Sequence, residues 1–172
     1  MHVIDKQLAY DGHYKLSQLR VQDGAQVLKR ERFEPGTAVA ALVRHTGSHR
    51  YVLTRQYRIG PEAEILELAA GMVDAGEEPA QAIRREIQEE LGYDVDHLEQ
   101  IARILPSPGT SAEVITLYYA EVSHQSGAGG GLAEENEQIE AVEFSAEQLF
   151  AAQFEDAKTI IAVQWARLRA GR

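Results

Sequence analysis

Glu86, Glu89 and Glu90 stand at i, i+3 and i+4 in GMVDAGEEPAQAIRREIQEELGY, residues 71 to 93, with Glu77 and Glu78 shortly before them. On a helix that spacing puts three carboxylates on one side of the cylinder, where each like-charged pair costs about 0.2–0.5 kcal/mol. A solvated acidic face is the commonest reason for such a cluster. The reading with chemical content is a divalent cation: Mg2+ and Mn2+ prefer carboxylate, carbonyl and water oxygens and turn mutual repulsion into shared coordination. The chain has no cysteine, so any metal must be held by oxygen or imidazole, and thiolate catalysis and disulfides are excluded. The six histidines are scattered, without the i, i+4 pairing of a ligand set.

A helix must present these carboxylates, and its ends are legible. Pro79 suits the first helical position, where its missing N–H costs nothing, and Gly92 suits the residue just past the end. Ile83, Ile87 and Leu91 recur every four residues as a buried stripe, with Ala80 beside it, opposite the acidic side.

Strands are expected ahead of that helix. HYKLSQLRV (13–21) and AQVLKRERF (25–33) alternate polar with apolar residues around QDGA, whose Asp-Gly suits a hairpin turn. TAVAALVRH (37–45) reads as a strand buried on both faces, YVLTRQYR (51–58) follows, and EILELAA (64–70) is one short strand leading into the acidic stretch. Beyond the helix, EQIARIL (99–105) and EVITLYYAEV (113–122) read as strands flanking PSPGTSA. GAGGG (127–131) reads as a mobile loop, and QIEAVEF (138–144) as a further strand. Ser145 and Gln148 form a capping box for a short helix, and DAKTIIAVQWARLRA is a last helix with Ile161, Trp165 and Leu168 on one face. The fold class is α/β, a mixed β-sheet between helices with an N-terminal antiparallel strand element. The expected division is residues 1–36 for that element and 37–172 for the main domain.

Composition bounds the partners. A formal charge of −10 disfavours attraction to nucleic-acid phosphates, and no Lys/Arg-rich tract offers it locally. No run approaches the length of a bilayer span, and MHVIDKQLAYDGHYKL has neither the basic flank nor the apolar stretch of a signal peptide. The expectation is a cytoplasmic protein with no membrane or nucleic-acid partner.

Gly71, Glu77, Arg85, Glu86, Ile87, Glu89, Glu90, Gly92 and Tyr93 occupy every constrained position of the pattern G-x5-E-x7-R-E-U-x-E-E-x-G-U, with U apolar or aromatic. From average residue usage, a chance match in a chain of this length has a probability on the order of one in ten million. The stretch resembles the box of the Nudix hydrolases, enzymes that cleave a nucleoside diphosphate linked to another moiety. That resemblance implies the Nudix fold and metal ligation by Glu86, Glu90 and the Ala70 carbonyl, with Glu89 contributing through water. It further implies that Arg85 orients the carboxylates by ion pairing, that Glu77 fixes the loop, and that Gly71 allows the loop its tight path.

Features outside the box point within the family. SPGTSAE (107–113) resembles the SPG loop of ADP-ribose pyrophosphatases, which implies substrate contacts at Pro108 and Gly109. RQYR (55–58) resembles the strand carrying their substrate-side arginine, here Arg58. LAEENEQIE (132–140) is similar to their catalytic loop, which implies Glu135 as the base and Glu137 as a further metal ligand, with Glu134 close enough to take the base's place. AGGG and DAKT resemble GDP-mannose pyrophosphatases as well. The implied activity is Mg2+-dependent, or Mn2+-dependent, hydrolysis of ADP-ribose to AMP and ribose 5-phosphate. Another nucleoside diphosphate sugar such as GDP-mannose is the alternative substrate, and a sensor that binds without cleaving is the alternative class. Family dimers exchange N-terminal strands, which implies a homodimer built through residues 13–33.

Overall fold

The computed structural model describes residues 1–132 and 138–171. Its elements are β1 (His2–Asp11), β2 (Lys15–Asp23), β3 (Gln26–Glu34), β4 (Thr37–His45), β5 (Tyr51–Arg58), β6 (Ala63–Glu67), β7 (Ala69–Met72), α1 (Pro79–Leu91), β8 (Tyr93–Ile104), β9 (Val114–Gln125), β10 (Glu140–Phe144), α2 (Ala146–Ala151) and α3 (Ala157–Ala170). The chain forms two compact units. One comprises Met1–Thr37 with Leu105–Ile115, the other Ala38–Ile104 with Thr116–Arg172.

The first unit is an antiparallel sheet in the order β1-β2-β3. In β2 the alternation buries Ser17, Leu19 and Val21 on one face. Asp23 pairs with Gln26, so the β2–β3 turn consists of Gly24 and Ala25, with φ of 57° on Gly24. The turn therefore sits one residue later than the Asp-Gly expected, because the ladder continues through Asp23. A positive φ at the first central position is the pattern of a II′ hairpin turn, which glycine adopts without strain. β1 was not expected from the sequence; all but one of its residues are exposed, so no burial alternation marks it. The 105–115 segment is tied to β3 by its backbone: Phe33 N–H donates to the Thr110 carbonyl and Ala112 N–H to the Phe33 carbonyl, both at 2.9 Å.

The second unit is built on a mixed sheet in the order β10-β5-β4-β9-β8, with β6 paired to β5 and β7 paired to β4. β4 is its centre: Val39 through Val43 are each 0 % exposed, as the unbroken apolar run predicts. Val39, Ala41 and Val43 point to the face covered by α1, where they pack with Ile83, Ile87 and Leu91. Each fully buried Ile or Leu contributes roughly 1.5–3 kcal/mol, which outweighs the like-charge cost of the acidic side. Ala82 completes the stripe, whereas Ala80, expected there, is exposed.

α2 and α3 bring a second set of buried residues to this unit. Leu149 is fully buried in α2, and Thr159, Ala162, Val163 and Ala166 form the buried face of α3. The expected Ile161–Leu168 face is turned outward, at 38 % and 69 % exposure. Small residues, not the large ones, let this helix approach closely. Trp165 is half-buried, with its ring 5.4 Å from that of the buried Tyr119. α2 is closed by the expected capping box, Gln148 N–H donating to Ser145 Oγ and Ser145 N–H to Gln148 Oε1.

EILELAA is two strands, not one. Glu67 pairs with Thr54 of β5, while Ala69 pairs with Ala41 of β4. The chain changes ladder partners at Leu68, which belongs to neither strand. β8 is also longer than expected and begins directly after α1, at Tyr93.

Candidate active site

α1 starts at Pro79 and is capped after Leu91 by Gly92, which has φ of 75° and donates its N–H to the Gln88 carbonyl at 3.0 Å. Between these ends the helix aims its carboxylates at β7. Glu90, 2 % exposed, accepts the Ala70 N–H on Oε2 at 3.1 Å. Glu86 reaches the next residue: a methyl group on Gly71 would overlap the Glu86 carboxylate. The glycine is thus required by the approach of the carboxylate, since its own φ is unexceptional. Both acidic side chains converge on the Ala70–Gly71 peptide. In a strand the N–H and C=O of one residue share an edge, so the Ala70 carbonyl lies on the same edge as the N–H given to Glu90.

Arg85 binds the surrounding residues. Its guanidinium donates to Glu77 through Nε and Nη2 (3.1 and 3.0 Å), to Glu86 and Glu89 through Nη1 (2.7 and 3.0 Å), and to the Met72 carbonyl (3.0 Å). One planar fork therefore joins the loop after β7 to the first two carboxylates of the helix. The Glu77 hydrogen bond, helped by Glu86 and Glu89, holds Arg85 charged beyond an ordinary arginine despite desolvation. In return Arg85, with the Asp74 N–H, holds the Glu77 carboxyl below the usual range.

Mg2+ is commonly held through one or two carboxylates, with waters and substrate phosphates completing its shell. Among the described residues no three His, Asp or Glu side chains form a metal-binding group. Two carboxylates and a backbone carbonyl are a donor set of the hard, incomplete kind that such an ion takes. In chemistry these residues fit a hard divalent cation.

Arg58 lies at the end of β5 and donates to Glu67 at 2.5 Å. Burial opposes its charge, but Glu67, Glu90 and Asp156 outweigh that and hold the guanidinium firmly protonated. Glu67 is 2 % exposed and also takes Lys158 of α3, an ion pair that the sequence reading missed. The available signal was a carboxylate flanked by leucines in a strand pattern, which requires a partner when buried. Pro108 and Gly109 lie in a turn closed by Ser111 N–H to the Ser107 carbonyl at 2.9 Å, and they belong to the first unit. Glu135 and Glu137, with Glu134, fall outside the described residues.

The Gly-rich segment before them, expected as a mobile loop, is hydrogen-bonded to the end of α1. Gly130 N–H donates to the Glu90 carbonyl at 2.8 Å and Gly131 N–H to the Glu89 carbonyl at 3.1 Å. Two of the carbonyls that a helix leaves unsatisfied at its C-terminus are thereby capped. Gly129 has φ of 66°, and a methyl group there would press against the Glu90 carbonyl and the Leu91 backbone. On the far side, Ile139 N–H returns to the Gly130 carbonyl at 3.2 Å. Both flanks of residues 133–137 are thus anchored at the end of the helix that carries Glu89 and Glu90.

The chain is 34% identical over 151 residues to a GDP-mannose pyrophosphatase of Cronobacter sakazakii, covering 82% of this chain and 78% of that protein. It is 32% identical over 187 aligned positions to an ADP-ribose pyrophosphatase of Haemophilus influenzae, covering 98% and 86%. The crystal structure of an ADP compounds hydrolase superposes with a TM-score of 0.81 at 18% identity, over 98% of this chain and 93% of that one, a likeness of fold. The NUDIX domain matches residues 34–163, the span that contains the Arg85 fork and the Ala70–Gly71 peptide. The chain belongs to the NUDIX family of hydrolases.

Proposed function

We propose that this enzyme hydrolyses the pyrophosphate bond of ADP-ribose to AMP and ribose 5-phosphate, using Mg2+ or Mn2+ held by Glu86, Glu90 and the Ala70 carbonyl. The observation that carries the reading is the convergence of Glu86 and Glu90 on the Ala70–Gly71 peptide. A bound divalent cation supplies the neutralisation of charge that builds on phosphoryl oxygens as the bridging bond breaks. The protein does the rest. Arg85 holds Glu86 and Glu89 in their aim by hydrogen bonds, and Glu89 acts through water. Arg58 contributes a guanidinium on the substrate side, and Pro108 and Gly109 contribute a backbone surface for the nucleotide sugar.

Glu135 takes the proton from the attacking water, since carboxylates engaged by a cation are poor bases, and Glu137 adds a ligand. One water is consumed, its oxygen joining one phosphorus and the bridging oxygen leaving on the other. The active form is a homodimer made through the N-terminal sheet, whose edge strand β1 exposes Val3, Ile4 and Leu8 at 44–49 %. The place of action is the cytoplasm. Among the described residues no helix is long and apolar enough to cross a membrane.

GDP-mannose is the second reading, favoured by the Cronobacter sakazakii relative. Comparing kcat/KM for the two substrates under one Mg2+ concentration separates them. ADP-ribose is expected to lead, and a higher value for GDP-mannose would reassign the substrate.

A further inference from the structure

Leu68 belongs to neither ladder, and backbone groups buried at such a change of partner must be satisfied elsewhere. Two threonine hydroxyls take them. Thr54 of β5 donates Oγ1–H toward the carbonyls of Glu67 and Leu68, each at 3.2 Å. Thr159, in the first turn of α3, accepts the Leu68 N–H on Oγ1 at 3.0 Å. Leu68, Thr54 and Thr159 are all 0 % exposed, so water cannot substitute for either hydroxyl.

Thr159 is itself fixed. Asp156, the N-cap of α3, accepts the Thr159 N–H at 2.9 Å and its hydroxyl at 2.5 Å. With its proton committed to Asp156, that hydroxyl presents a lone pair to Leu68 in one orientation. The same turn sends Lys158 to the side chain of Glu67, so DAKT holds the strand change through both backbone and side chain. Leu68 is two residues from Ala70, and β7 begins between them. A rotation of the Leu68 peptide would therefore turn Ala69 and Ala70, the residue whose N–H meets Glu90.

We propose that Thr159, with Thr54, is a positioning residue for the metal site: the two hydroxyls lock the chain at Leu68 and so set the orientation of the Ala70 peptide on which Glu86 and Glu90 converge. This rests on the metal-binding reading of that peptide. DAKT is then part of the site's support and not only a helix cap. Residues that orient a metal's ligands typically contribute 10–100-fold in metal affinity.

The test is Mn2+ binding to the full-length protein, followed by the paramagnetic resonance of free Mn2+, in Thr159→Val, Thr159→Ser, Thr54→Val and Val163→Ala. Val163 is buried on the same face of the same helix and carries no hydrogen-bonding group, so its truncation controls for lost stability. Thr159→Val is expected to weaken Mn2+ binding about tenfold or more, and Thr54→Val to weaken it in the same direction. Thr159→Ser should restore wild-type affinity within about twofold, and Val163→Ala should leave it unchanged. If Thr159→Val does not fold, Thr54→Val carries the comparison. Wild-type affinity in the valine variants, or an equal loss in Val163→Ala, overturns the positioning role while the metal site stands. Absence of Mn2+ binding by the wild type overturns both readings.

Discussion

Glu90 and Ala70 meet through one hydrogen bond, the backbone N–H of β7 to the carboxylate of α1 at 3.1 Å, across 20 residues of chain. That contact ties one helical carboxylate to one strand peptide. It also keeps a 2 % exposed acid supplied with a donor.

Glu90→Gln keeps an acceptor for the Ala70 N–H and removes the charge. Stability should change little, while divalent-metal affinity and turnover fall together. Losing a charged ligand forfeits several kcal/mol of transition-state stabilisation, on the order of a thousandfold in kcat. Steady-state kinetics across a Mg2+ titration measures it. Near-normal kcat at saturating Mg2+ would remove Glu90 from the ligand set.

Gly71→Ala places a methyl group where the Glu86 carboxylate lies. Glu86 must shift, and a displacement of about 1 Å at a reacting centre costs on the order of a hundredfold in rate. Because Gly71 has an ordinary φ, the melting temperature should barely move. A variant that melts normally and also turns over normally would show that Glu86 need not sit against β7.

Arg85→Lys replaces a five-donor fork with a point charge that cannot serve Glu77, Glu86, Glu89 and the Met72 carbonyl together. Activity is expected to fall about 10–100-fold, in line with other groups that orient metal ligands. The stability loss should be about 1 kcal/mol, because the cluster is partly solvated. Urea titration and kinetics on the same preparation separate the two effects.

Glu34 gives the N-terminal sheet an acid-sensitive contact. Hydrogen bonding from Lys6, joined by Arg32, lowers its carboxyl to about 2 from 4.5. A carboxyl depressed on folding contributes stability that is complete above the unfolded value and is lost as pH falls toward the folded one. The stability difference between wild type and Glu34→Gln should therefore be constant above about pH 5 and shrink between about pH 4.5 and 2. Circular dichroism with denaturant at several pH values reads it, and a difference that grows on acidification contradicts the assignment.

The sequence made the fold legible where one residue type has one local meaning. Pro79 and Gly92 mark the ends of α1 because each is restricted or permissive in a single way, and Val39 to Val43 mark a central strand by unbroken apolarity. The change of ladder at Leu68 was hidden because EILELAA has continuous strand character, and only a tertiary contact distinguishes its two partners. α3 misled for another reason. Its buried face is built from Thr159, Ala162, Val163 and Ala166, while hydrophobic periodicity gives most weight to Ile161 and Leu168. The box spacing pointed to the carboxylate side of α1, but the second layer of Thr54, Thr159, Lys158 and Glu67 uses residues too common to form a signal.

Cation-dependent pyrophosphate hydrolysis of a nucleoside diphosphate sugar is what Glu86 and Glu90, gathered at the Ala70–Gly71 peptide, are proposed to support. Its most direct measurement is phosphorus NMR of products from purified protein with ADP-ribose, GDP-mannose, UDP-glucose and a diadenosine polyphosphate, each with Mg2+ or with EDTA. AMP and ribose 5-phosphate are expected from ADP-ribose with Mg2+, and no cleavage with EDTA. Unchanged pyrophosphate resonances for every substrate with Mg2+, or equal cleavage in EDTA, would contradict it.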